Sequence, residues 1–182
     1  LNLSNGNGYG LSIGGAGALV ATPIFTVNTA SVSNVTQGLQ LAGSLSGTGF
    51  SKAGAGTLVL SNSSNTFTGN ITVNQGVLSV GSDAQLGNSA NSVRLNPTTG
   101  TSTFRAAGNI TTSRVIDLSA TANTRAIEVT AGNTLRLDTA LGLSGGVAAA
   151  VDKNDLGTLV FNANNPTWTG GININQGAVL VN

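Results

Sequence analysis

The sequence predicts an all-β chain wound as a parallel β-helix, and three observations carry that expectation. Short apolar runs alternate with polar residues at a period of two. Clusters of Gly, Asn and Ser that tolerate turn conformations separate these runs. A stretch of 29 residues, Lys52–Val80, returns at Lys153–Val181 with thirteen identities and no gaps. Internal repetition at long period is the signature of stacked architectures.

Within the first copy, Leu58 and Leu60 alternate with Thr57, Val59 and Ser61, Ile71 and Val73 flank Thr72, and Leu78 and Val80 flank Ser79. These are strand patterns, and "SNSSN", "GN" and "NQG" between them read as turns. The one window with helical appeal is Gly145–Asp155, whose Ala run follows two glycines and precedes a turn-rich end; it reads as a short turn or loop. Short strands without helices fit either an antiparallel sandwich or barrel, or a parallel β-helix. A sandwich wants tight hairpins, whereas this chain returns repeatedly to a polar, Gly-containing corner and then another short strand. A coil needs like residues above like, so repetition becomes a packing requirement. Rungs of about 20–22 residues would give about eight rungs, a solenoid reckoning for a chain of 182 residues. The expected inward residues are Leu58, Leu60, Phe67, Ile71, Val73, Leu78 and Val80, then Leu159, Phe161, Trp168, Ile172, Ile174, Val179 and Val181.

Composition narrows the function classes. A formal charge of +1 gives no electrostatic reason to seek nucleic acid or an anionic membrane. Only 7% of residues are charged, while 26 are Gly, so hydroxyls and amides must supply solubility, which is unusual for a cytoplasmic chain. With no cysteine and no histidine, disulfides, thiolate sites and Ser-His-Asp or His-metal chemistry are excluded. No run approaches the roughly 18 apolar residues of a membrane span. The opening "LNLSNGNGYG" lacks the parts of a signal peptide, as expected of an excerpt or of a chain whose signal has been removed.

The stretch "KAGAGTLVLSNSSNTFTGNITVNQGVLSVGSDAQLG", 52–87, resembles the passenger-associated transport repeat, also called the autotransporter-associated β-strand repeat. Its pattern of Lys52, Gly54, Gly56, Thr57, Leu58, Asn65, Phe67 and Gly69 carries the resemblance. A second, truncated copy spans 153–182, departing at Asp155, where Gly is usual, at Pro166, where Asn is usual, and at Trp168, where the aromatic is enlarged. Residues 92–143 resemble the looser spacer rungs of that family, and 1–182 reads as one β-helix segment. The resemblance implies a right-handed parallel β-helix in a large exported protein, an association with secretion and extracellular folding, and no catalytic residues or cofactor. The right-handed sense agrees with the preference of parallel crossovers.

Three sets of residues invite chemistry. Asp152 and Asp155, with Lys153 and Asn154, form a tight acidic cluster that could hold calcium, but the repeated calcium-loop nonapeptide is missing, so a solvated turn is expected. Arg94, Arg105, Arg114, Arg125 and Arg136 recur every 9–11 residues. On a coil, Arg94, Arg114 and Arg136 could line one edge and Arg105 and Arg125 another, as a binding stripe for an anionic glycan. Asp117, Glu128 and Asp138 interleave with them, which favours a mixed surface ladder whose exposed pairs contribute about 0–1 kcal/mol each. Thr66–Thr68 and Thr167–Thr169 recur too rarely for an ice-binding ladder, and the five sequons are expected by chance in so Asn-rich a chain.

These readings lead to a non-catalytic, secreted or cell-surface β-helix serving as a stalk, spacer or fibre subunit, with a glycan-binding adhesin using 92–138 as the alternative. Neither end offers a cap, since the chain opens with "LNLS" and closes with "GAVLVN". The expected partners are therefore further rungs of the same chain, or neighbouring subunits stacked head to tail. Surface glycans follow from the alternative reading alone.

Overall fold

A computed structural model describes residues 1–4, 10–28, 38–118, 123–143, 150–164 and 168–182. It is a parallel β-solenoid of about seven turns, close to the eight rungs expected. Every named strand pairing is parallel. The antiparallel alternatives are thereby set aside.

Three sheets run along the coil. The first carries Asn2–Leu3, Ile24–Val27, Leu45–Ala53, Thr68–Val73, Val93–Leu95 and Ile116–Leu118 in that order, with Gly17–Leu19 pairing beside Leu45–Ala53. The second stacks eight strands, from Leu11–Ile13 through Leu39–Leu41, Thr57–Leu60, Gly76–Val80, Thr101–Ala106, Thr124–Val129 and Val151–Asn154 to Ile172–Ile174. The third holds Ile110–Thr112, Thr134–Leu137, Thr158–Phe161 and Ala178–Val181. From Val93 to Leu137 the chain visits the three sheets in strict rotation, twice over. Earlier in the chain, turns and one 3-10 helix, Asp83–Leu86, stand between the second sheet and the first. That helix escapes a period-two pattern because it is a single turn, held by Gln85, whose side-chain oxygen accepts from Gly81 N at 2.7 Å.

Alternation across a strand sends every second side chain inward. In the second sheet Leu39, Leu58, Leu78, Phe104 and Ile127 stack in register, and all five are fully buried. In the first sheet Phe50, Ile71, Val93 and Ile116 do the same. Phe25, Phe50 and Phe67 meet edge to face at 5.3 and 5.6 Å, the geometry favoured by ring quadrupoles. All seven inward residues expected of the first copy have no exposed surface.

The second copy follows the same register. Leu159 and Phe161 are buried, while Trp168, Ile172 and Val179 are partly buried against the core. Ile174 and Val181 are 53% and 78% exposed. They stack on Lys153 and Phe161 from one side, and among the described residues no strand covers the other. Rung length differs from the expected 20–22 residues: partners in register lie 19 residues apart at Leu39 and Leu58, and 28 apart at Leu11 and Leu39. Parallel pairing fixes strand register and leaves the corner free to lengthen. Of the Gly145–Asp155 window, 145–149 lie outside the described residues, and Val151–Asn154 is a strand, because Val151 and Lys153 alternate inward.

Leu58→Ala should cost about 2–5 kcal/mol, the range for emptying a filled core site. Leu60→Asp should abolish the cooperative transition in thermal melts, since it places an unpaired charge in the same column system. A Leu60→Asp protein that melts like the wild type would contradict the inward column.

Candidate functional site

The positions shared by the two copies converge on a corner. In the first copy the strand ending at Ala53 turns through Gly54, Ala55 and Gly56 into Thr57–Leu60. One coil later Thr68–Val73 turns through Asn74 and Gln75 into Gly76–Val80, directly above. Gly54 and Gly76 both take left-handed backbone, with φ of 78° and 71°. A Cβ on Gly76 would lie 2.4 Å from the carbonyl oxygens of both Gly54 and Gly56, so no side chain fits where the corners stack.

Lys52 closes this corner from inside. It has no exposed surface and sits in register between Phe25 and Val73 in an otherwise apolar column. Its Nζ donates to the carbonyls of Ala53 at 2.8 Å and Gly54 at 2.7 Å, and to Gln75 in the corner above at 3.0 Å. Asn74 N donates back to Lys52 O at 2.8 Å. An ammonium has three donors and no acceptor, and here all three are used. Burial pushes its pKa down to about 8.

The second copy repeats the arrangement atom for atom. Lys153 is equally buried, and its Nζ donates to Asn154, Asp155 and Gln176 carbonyls at 2.8, 2.6 and 3.2 Å. Burial lowers its pKa, opposed by the charges of Asp155 and Glu128. Asp155 adopts φ of 66° in place of the usual glycine, and its own carboxylate accepts from Leu156 N at 2.7 Å. The departure at this position therefore leaves the turn intact. Pro166 lies outside the described residues. The two copies occupy different faces: Lys52 is in the first sheet and leads into the second, whereas Lys153 is in the second and leads into the third.

Of the five arginines only Arg105 and Arg125 share a sheet, the second, and by alternation they face opposite ways; the other three are not brought onto one edge. Arg94 is in the first sheet, paired with Asp117 at 3.2 Å. Arg105 is in the second, paired with Glu128 at 2.6 Å, and Arg136 is in the third, paired with Asp138 at 2.7 Å. That bond to Arg136, with a further one from Asn162, holds the Asp138 carboxyl below its ordinary range. Arg125 is buried in register with Ser102, and burial lowers its pKa. Arg114 is also buried; it grips the start of the 3-10 helix through Asp83 Oδ1 at 2.7 Å and the loop after it through the carbonyls of Gly87 at 2.8 Å and Asn88. The 9–11-residue spacing is half a coil, and it cannot distinguish a side chain that points in from one that points out.

Two buried amides went unread in the sequence. Asn65 accepts from Leu45 N at 2.8 Å and donates to Gln85 O at 2.7 Å. Asn91 accepts from Gly69 N at 2.7 Å and donates to the carbonyls of Phe67 and Leu86, both at 3.0 Å. Each joins coils where a strand is replaced by a turn. For Asn65 the available signal was its place in the repeat pattern; Asn91 had none. The acids Asp152 and Asp155 do not converge: Asp152 accepts from Asn173 at 2.7 Å, and no metal-ligating group of three or more acids occurs among the described residues. An apolar cavity of about 420 Å³ opens among Ile13, Leu19, Phe25, Leu41 and Leu45, with no titratable side chain in its lining.

A family model for the passenger-associated-transport-repeat matches residues 50–80 and 151–181. The chain carries two such repeats. The matched spans contain both lysine-stapled corners and begin two residues before the lysines, at Phe50 and Val151. Neither a curated protein nor a solved structure matches the chain. Two passenger-associated repeats on a parallel β-solenoid make the chain similar to a passenger-type segment.

Two predictions follow from the corner geometry. The folded chain releases the Lys52 proton near pH 8, whereas the unfolded chain holds it to about 10.5. Between those values the unfolded state binds more protons, so stability should rise with pH, and urea midpoints should be insensitive to this group below pH 8. A midpoint that falls between pH 8 and 10 would reverse the sign. At Asp155, substitution by Gly should be nearly neutral while Ala should cost about 1 kcal/mol, because Ala has neither the conformational freedom nor the local acceptor.

Proposed function

We propose that this segment is a non-catalytic stalk or spacer of a large exported surface protein, or a subunit of an extracellular fibre. The observation that carries the reading is the use of the repeated residues. Lys52, Gly56, Leu58, Ile71, Gln75 and Gly76, with their counterparts 101 positions on, serve the core or the stacked corners. The passenger-associated repeat supports an extracellular or surface location, and a chain so poor in charge is suited to one. Each coil adds about 4.8 Å of rise, so about seven coils make a rod core of roughly 34 Å along the axis. The adhesin alternative would have to work through Arg94, Arg105 and Arg136, each already paired with an acid.

A surface-displayed passenger carrying residues 1–182 tests the structural role. An epitope beyond the segment should be reached by antibody on intact cells and the segment should resist added protease, while Leu60→Asp should lose both properties. Unchanged display and protease resistance in Leu60→Asp would remove the case for a rigid stalk. On a glycan array the segment should bind nothing saturably; anionic-glycan binding abolished by Arg94→Ala, Arg105→Ala and Arg136→Ala together would establish the adhesin instead.

A further inference from the structure

We propose that each repeat builds a cation cage, a carbonyl site selective for a primary ammonium, and that Lys52 and Lys153 are its tethered occupants. The cage is made by two successive coils. For Lys52 two oxygens come from the lower corner, Ala53 and Gly54, and one from the upper corner, Gln75. For Lys153 the same division holds, with Asn154 and Asp155 below and Gln176 above. Donor and acceptor numbers match: three N–H bonds meet three carbonyl oxygens, the side chain of neither lysine is exposed, and no water is needed to complete the shell.

The cage belongs to the corner and not to a face. The same oxygens at the same sequence offsets converge between the first and second sheets in one copy, and between the second and third in the other. The left-handed turn at Gly54 or Asp155 swings its carbonyl toward the inside, and the stacked Gly76 or Gly177 lets the upper corner descend close enough to add the third. Empty, such a cage would hold three partial negative charges facing one another out of reach of solvent. The lysine stem adds no specificity, since it occupies a column whose other members, Phe25 and Val73, are apolar. The group that the corner selects is therefore the ammonium head, and the stem is a filling that any aliphatic chain of that length reproduces.

Chemical rescue tests this. Lys52→Ala in the 182-residue protein deletes three methylenes and the ammonium, and its thermal midpoint should fall by several degrees. Added n-propylammonium chloride should restore most of that loss in a saturable manner, as expected for a ligand bound to the folded state alone. Tetramethylammonium chloride at equal concentration, which has charge and no N–H donor, should not. Lys52→Met, with the stem filled and the head gone, should be destabilised and insensitive to propylammonium. Equal action of the two cations on Lys52→Ala, or a Lys52→Met protein as stable as the wild type, would overturn the proposal. Should Lys52→Ala not fold, the wild type decides: it has only two lysines, so both Nζ groups should give slowly exchanging ammonium signals in ¹H–¹⁵N spectra at neutral pH. Exchange at the rate of a free ammonium would equally overturn it.

Discussion

A parallel coil must turn a corner two or three times per rung, and each corner leaves backbone carbonyls without strand partners. That constraint governs this molecule more than the apolar core does. Strands satisfy their own polar groups through register pairing, and inward Leu, Ile and Val need only stack. At the corner no ladder exists, and a buried carbonyl without a donor costs about as much as a lost hydrogen bond. Lys52 and Lys153 resolve this with a charge inside the core, a choice that is expensive unless every donor finds an acceptor. Here every donor does.

The same economy explains where the few charges go. Of seven cations, Lys52, Lys153, Arg114 and Arg125 are buried, and Arg94, Arg105 and Arg136 are paired along the outer ladders. Solubility and coil-to-coil register on the outside fall to amides instead. Asn175 donates to Asn154 at 2.8 Å, Asn173 to Asp152 at 2.7 Å, Asn162 to Asp138 at 2.9 Å and Asn96 to Asn74 at 3.2 Å. A side-chain amide carries both donor and acceptor, so it can hand a hydrogen bond from one rung to the next indefinitely, which a carboxylate or an ammonium cannot. A surface built this way suits a rod that lengthens by adding coils.

The strand content, the coil and the inward set of the first copy were legible because alternation and repetition are linear signals. Leu58, Ile71 and Leu78 announce their direction through their neighbours. What stayed hidden was anything decided by the corner. Lys52 and Lys153 were visible as identities between copies, but a charged residue in a period-two pattern reads as outward unless its partners are known, and those partners are main-chain atoms that no side-chain pattern records. Arg114 and Arg125 failed for the same reason, and their spacing with Arg94, Arg105 and Arg136 suggested edges that the three-sheet coil does not provide. Rung length was misjudged because corners of different size, from the tight turn at Gly54 to the stretch from Leu11 to Leu39, all deliver the next strand in register.

The length of the repeat follows from these facts. A unit of one coil would contain the lysine's own corner but not the corner stacked upon it, so its lysine could reach two carbonyls and not the third above. The matched spans, 50–80 and 151–181, instead hold a corner, a full turn of chain and the corner stacked upon it. Each span therefore closes its own cage. Because the unit is complete, nothing requires successive copies to share a face, and the variable coils between Val80 and Val151 are free to rotate the second copy by one sheet relative to the first. The stretch repeated in this chain thus encodes a joint between two rungs, and the rungs between joints need only stack.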